Sequence, residues 1–150
     1  MRPFNKSYFG LYAFFIVSLI GCLNNGMEKY NLVEDVLTDV KNQYAPDKRV
    51  ALMDIKASIQ KDIIYLKGET DQPGIGSVLI DRLNDKGFEV VNEVKLLPDA
   101  NLKDEIYGVI NNSVSNIRSQ PRHSGELATQ ALLGMDVKIL KKQGSWFLIQ

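Results

Sequence analysis

The feature that most constrains this chain is an apolar run near its start, from Tyr8 to Ile20, in which Ser18 is the one distinctly polar side chain. Arg2 and Lys6 precede it, and no acidic residue occurs before Glu28. As a helix the run would rise roughly 20 Å at about 1.5 Å per residue, short of a ~30 Å hydrocarbon core. A helix buried in a soluble core would show a polar face, and this one has none. A short positive segment, a moderately long apolar segment and small residues after it are the parts of a secretory signal. An uncleaved anchor and a buried core helix are the competing readings.

The run closes on Leu19-Ile20-Gly21-Cys22, which resembles the lipobox of bacterial lipoproteins. The resemblance implies that residues 1–21 are removed and that the thiol of Cys22, the only cysteine in the chain, carries diacylglycerol as the first mature residue. It places the protein in the cell envelope. Leu23-Asn24 lacks an acidic residue after the cysteine, which by the same analogy favours the outer membrane, facing the periplasm.

The whole chain has 18 basic and 18 acidic side chains, so loss of Arg2 and Lys6 leaves 16 against 18, or −2. The charges are interspersed, with no electrostatic footprint for nucleic acid. With Cys22 committed to lipid no disulfide can form, and stability rests on packing alone.

Residues 22–30 are polar and Asn/Gly-bearing, as in a short tether. From Leu32 to Tyr44, Val33, Val36, Leu37 and Val40 recur at helical spacing, with Asn31 as N-cap, Glu34 three residues on, and Pro46 as the stop. Val50 to Ile59 alternates as a strand, Gln60-Lys61-Asp62 turns, and Ile63 to Lys67 forms the hairpin partner. After Pro73, the residues Ile75, Val78, Leu79 and Leu83 predict a second helix that Gly87 ends. Phe88 to Leu96 is strand-like again. Helix–strand–strand–helix–strand over residues 31–97 predicts a small layered α+β domain. With Leu66-Lys67-Gly68 and the Gly87 turn, Val50 to Val94 resembles the periplasmic BON domain.

Residues 98–105, opened by Pro98-Asp99-Ala100-Asn101, read as a linker. From there to the end the pattern is of short strands: Tyr107 to Ile110, Val114 to Arg118, Ala128 to Leu133, Val137 to Leu140 and Trp146 to Ile149, separated by turn residues. Asn116-Ile117-Arg118, Pro121, Leu133-Gly134, Val137-Lys138-Ile139-Leu140 and Gly144-Ser145-Trp146-Phe147 resemble the bacterial Src-homology-3-like (SH3-like) domain. That implies an all-β barrel over residues 106–150, after the α+β domain. The family barrel continues through a further Gly-x-x-Gly-Trp strand, so this one is expected to be incomplete. A lipoprotein signal, a variable region and such a barrel together resemble the non-catalytic N-terminal part of NlpC-type cell-wall peptidases of the Bacteroidetes, whose Cys-His dyad lies on a separate domain.

Catalytic chemistry within this chain is not expected. A thiol protease needs a histidine base beside its cysteine; Cys22 is assigned to lipid, and His123, the only histidine, falls in a turn and reads as a solvated loop residue. One histidine without a ligand cluster predicts no metal site, and no cofactor is implied. Gly74-Ile75-Gly76 opens a helix after a strand, but Leu79 replaces the third glycine of a dinucleotide fingerprint and no βαβ context is expected. Asp54, Glu69, Asp71 and Glu126 contain no spacing that selects a carboxylate pair. The candidate ligand- or partner-binding residues are Tyr107, Arg118, Trp146 and Phe147. Trp146 and Phe147 face opposite sides of one strand, so one fills the barrel and the other is available to a ligand. Arg118 reads as a surface ion pair, with bidentate capture of a peptide carboxylate as the alternative.

The expected function is that of a membrane-anchored envelope lipoprotein whose barrel binds a peptidoglycan stem peptide or a wall-hydrolase catalytic domain. The alternatives are the N-terminal fragment of a γ-D-glutamyl-diamino-acid endopeptidase and a phospholipid-associating envelope stress protein.

Overall fold

The computed structural model describes the backbone of residues 7–150 and the side chains from residue 26 onward. Cys22 and its expected lipidation lie outside the residues whose side chains are described. Among the described residues, no helix is long and apolar enough to cross a membrane.

The first element, α1, runs from Ser7–Tyr44 without interruption. This corrects the expected tether at residues 22–30 and the expected cap at Asn31, which both fall inside the helix. No proline occurs between Ser7 and Pro46, and an interior glycine costs a helix only about 1 kcal/mol. The stripe Val33, Val36, Leu37 and Val40 is buried as expected, whereas Tyr44 is exposed. Ala45 still donates to the Lys41 carbonyl before Pro46 ends the helix.

Strand β1 (Met53–Gln60) begins later than its alternating pattern suggests. Val50 and Ala51 both donate to the Asp47 carbonyl, a turn that leaves Val50 exposed. Arg49 clasps the Asp47 carboxylate from within that turn at 2.7–3.1 Å. The clasp holds the Asp47 pKa well below the ordinary carboxylate range, at about 2, and raises that of Arg49. Lys61 and Asp62, both at positive φ, form the two-residue loop into β2 (Ile63–Thr70). Helix α2 (Ile75–Asn84) follows, and Phe88 donates back to the Leu83 carbonyl beyond Gly87, which closes the helix in the left-handed region.

Strand β3 (Glu89–Leu96) then pairs parallel to β2, while β1 pairs antiparallel to it, in the order β1-β2-β3. A βαβ unit is therefore present around Gly74-Ile75-Gly76, contrary to expectation. Its glycines serve the turn and the packing: Gly74 takes a φ of +86° at the helix start, a Cβ on Gly76 would stand 2.8 Å from the Asn92 amide nitrogen on β3, and Leu79, in the third-glycine place, is fully buried. Both helices cover one face of the sheet, and Val33, Val40, Ile64, Leu66, Ile75, Leu79 and Leu83 form the centre of the core. The layered α+β arrangement is as expected.

The linker holds one 3-10 turn, Ala100–Leu102, with Asp99 capping it through the Asn101 amide. Beyond it lie β4 (Tyr107–Val109), β5 (Val114–Arg118), β6 (Leu127–Leu132), β7 (Asp136–Gln143) and β8 (Trp146–Ile149). These strands match the expected ones closely, and no closed barrel forms among the described residues. They make two separate sheets instead, β4-β7-β8 and β5-β6. In this half only Ala131 and Leu140 are buried apolar residues, while Tyr107, Val109, Val114, Leu127, Leu132, Leu133, Met135 and Phe147 are exposed. Too little apolar surface points inward to hold the two sheets as one closed wall.

Candidate functional site

The all-β half is held by a contact to the linker and by one to the first sheet. The Asp99 amide donates to the Leu140 carbonyl at 2.8 Å, and the Lys141 ammonium donates to the Glu69 carboxylate. Between the halves lies a cleft of about 370 Å³. Leu52, Asp54 and Glu69 form one wall, and Asn116–Pro121, Lys141, Gln143 and Trp146–Ile149 form the other.

Sheet register brings the acidic wall together. Asp54 and Glu69 are direct cross-strand partners, a like-charge pairing that destabilises a ladder unless it is compensated. Lys141 supplies the compensation from the other half. Beside them Asp71 is buried, and its carboxylate accepts from the Leu52 amide at 2.6 Å and from Gln72 at 3.0 Å. Thr70, equally buried, donates to the Leu52 carbonyl at 2.7 Å. Both groups of Leu52 are thus tied, which sets the lip of the cleft.

The opposite wall holds three of the four expected binding residues. Arg118 is half-buried, and its guanidinium donates to the Gly125 carbonyl at 2.8 Å. The expected ion pair does not form among the described residues; the side chain ties down its own loop, where a backbone carbonyl is nearer than any carboxylate. Gly125 is buried in that loop, and a Cβ there would stand 2.9 Å from the Gln120 carbonyl oxygen. Trp146 is half-buried with the His123 ring edge-on to it, centroids 5.2 Å apart at 61°. His123 is exposed, as expected for a loop residue, and its contact with Trp146 is additional. Phe147 is about half exposed, with the Lys142 ammonium 5.5 Å from its ring centroid. Tyr107 does not join them. It is 74% exposed on β4, which β7 separates from β8.

In the sequence, Asp54 and Glu69 are two of four carboxylates that no spacing distinguishes, and Lys141 carries no mark as a site residue. Outward-facing charges on alternating strands are ordinary, and nothing local links Lys141 to a carboxylate 72 positions earlier. Of the four carboxylates that sequence spacing leaves undistinguished, Glu69 is ion-paired, Asp71 is committed to backbone, and Glu126 is exposed and does not line the cleft. Among the described residues no group of three or more His, Cys, Asp or Glu side chains gathers into a metal-holding cluster.

No curated protein and no solved structure matches the chain. A family model described as the bacterial dipeptidyl-peptidase SH3 domain matches residues 117–150, which take in most of the cleft's second wall. This stretch is similar to that SH3 domain.

Proposed function

We propose that this protein is a membrane-anchored envelope lipoprotein whose SH3-like half is a peptide-binding module, with the cleft between the halves as the binding site. Domains of this kind are often cell-wall binding modules in peptidase-associated proteins. The observation that carries the reading is that Trp146, Phe147 and Arg118 line one cleft together with the acidic ladder pair. An apolar floor with a few convergent polar groups is the ordinary form of a ligand site. The ligand in this reading is a peptidoglycan stem peptide, whose carboxylates and amino groups match Arg118 and Asp54 in charge. The anchor rests on the Leu19-Ile20-Gly21-Cys22 pattern.

A second reading makes the chain the non-catalytic front of a cell-wall peptidase, with the cleft placed against a catalytic domain. The description of the matching family favours it.

Titration of the full chain in detergent with soluble muropeptides tests the first reading. Trp146 is the only tryptophan, so its emission reports the cleft directly. Saturable binding that Arg118→Ala and Phe147→Ala weaken is expected. Flat titrations, together with failure to sediment with purified peptidoglycan, would overturn it. For the anchor, labelled palmitate should enter the wild-type protein and not Cys22→Ser.

A further inference from the structure

A second hollow, of about 390 Å³, opens beside the cleft on the sheet face that the helices leave bare. It is lined by three carboxylates, Asp54, Glu69 and Glu93, by three ammonium groups, Lys67, Lys95 and Lys141, and by the backbone of Gly68. Asp54, Glu69 and Lys141 line the cleft as well, so the two cavities meet at the Lys141–Glu69 pair.

Sheet register sets out these charges. Asp54 on β1, Glu69 on β2 and Lys95 on β3 stand in one row across the three strands. Lys67 and Glu93 stand side by side in the next row and pair at 2.9 Å. In the first row Glu69 has two cations within its reach, Lys95 beside it in the ladder and Lys141 from the other half. It engages Lys141. Asp54 and Lys95 are thereby left on either side of it, both exposed and in no salt bridge among the described residues. Lys56, also exposed on β1, stands outside the hollow.

The charges of the hollow cancel, three against three. A ligand with an ammonium alone would satisfy Asp54 and leave Lys95 unmatched, and a ligand with a carboxylate alone would do the reverse. Neighbouring strands lie about 4.8 Å apart, which roots Asp54 and Lys95 roughly 10 Å from each other. An ammonium and a carboxylate on one carbon, each at about 2.8 Å from its partner, span about 9 Å. The spacing suits an amino-acid zwitterion held between the two.

We propose that this hollow takes the zwitterionic end of a diaminodicarboxylic residue, with the ammonium on Asp54 and the carboxylate on Lys95. It would thus select stem peptides that contain diaminopimelate over those that contain lysine, which is diaminopimelate without its second carboxylate. This rests on the reading of the cleft as a stem-peptide site and deepens it. A peptide lying in the cleft reaches the hollow across the Lys141–Glu69 pair.

Isothermal titration calorimetry of the full chain in detergent compares two peptides, L-Ala-γ-D-Glu-meso-diaminopimelate and L-Ala-γ-D-Glu-L-Lys. The first should bind about tenfold more tightly, as one additional charge-assisted contact implies. Lys95→Gln should reduce the first to the level of the second and leave the second within about twofold. Asp54→Asn should weaken both, since both carry the ammonium. Equal affinity for the two peptides, or a preference that survives in Lys95→Gln, would overturn the assignment and leave the peptide-binding reading standing. Free meso-diaminopimelate that binds as tightly as its peptide would give the hollow to a free amino acid and overturn it also. Binding of neither peptide would overturn the reading of the cleft itself, and this assignment with it.

Discussion

Lys141, on the long strand of the all-β half, donates its ammonium to Glu69 on the central strand of the first sheet, directly opposite Asp54 in the ladder. Both partners keep about a quarter of their side-chain surface exposed, so the pair alone is worth no more than about 1 kcal/mol. Its removal also restores the repulsion between two facing carboxylates. Lys141→Ala should therefore lower the urea midpoint by an amount corresponding to about 1 kcal/mol, more at low salt than at high. Asp54→Asn in the same background should recover part of the loss. A loss unaffected by salt would show that the contact acts through packing rather than charge.

Gly68 crosses Ile55 in the ladder at a φ of +138°, and a Cβ there would stand 2.0 Å from the Asp54 carbonyl oxygen. The obstacle is backbone and cannot rotate away. Gly68→Ala should cost about 3 kcal/mol or more, combining strain and a displaced strand. Gly134 is also at positive φ but has nothing within 4 Å, so Gly134→Ala should cost only about 1 kcal/mol. Comparing the two melting temperatures checks this.

The burial pattern predicts a marked asymmetry between the halves. Leu66 is fully buried between helices and sheet, whereas Leu132 is 57% exposed. Leu66→Ala should cost about 2–5 kcal/mol, and Leu132→Ala should stay within about 0.5 kcal/mol. Denaturant unfolding of each variant measures both.

Asp47 offers a pH prediction. Its folded pKa of about 2 lies below the ordinary carboxylate value, so its stabilising contribution is present above the unfolded value and is lost as pH falls through the folded one. The carboxyl is exposed and screened, so acid unfolding should change little in Arg49→Ala. The titration midpoint of Asp47, followed by carboxyl carbon NMR, should nonetheless rise from about 2 toward the ordinary carboxylate value in that variant. A midpoint that stays low would assign the shift to something other than Arg49.

Periodicity revealed most of the local structure. Val33, Val36, Leu37 and Val40 marked a buried helical stripe, Ile55, Ala57 and Ile59 marked the core face of β1, and turn residues divided the all-β half into its strands. What periodicity could not reveal was where α1 begins, because the strong local cap signal at Asn31 competes with an unbroken stretch of helix-compatible residues. It could not show the parallel pairing of β2 and β3 either, since that depends on where α2 returns the chain. In the site, the aromatic residues and Arg118 stood out by type. Asp54, Glu69 and Lys141 did not, because a surface charge has no local mark that distinguishes it from its neighbours.

The sequence by itself determined most of the helices and strands from residue 32 onward, that the second half resembles an SH3-like domain, and which side chains could meet a peptide. Only the tertiary structure decided that Trp146, Phe147 and Arg118 share a cleft while Tyr107 stands outside it. It alone decided that two facing carboxylates are held by a lysine from the other half, and that the all-β strands lie in two separate sheets. The physical reason is range. Side-chain alternation and capping act over a few residues, whereas strand order and docking depend on apolar surface and charge brought together from distant parts of the chain.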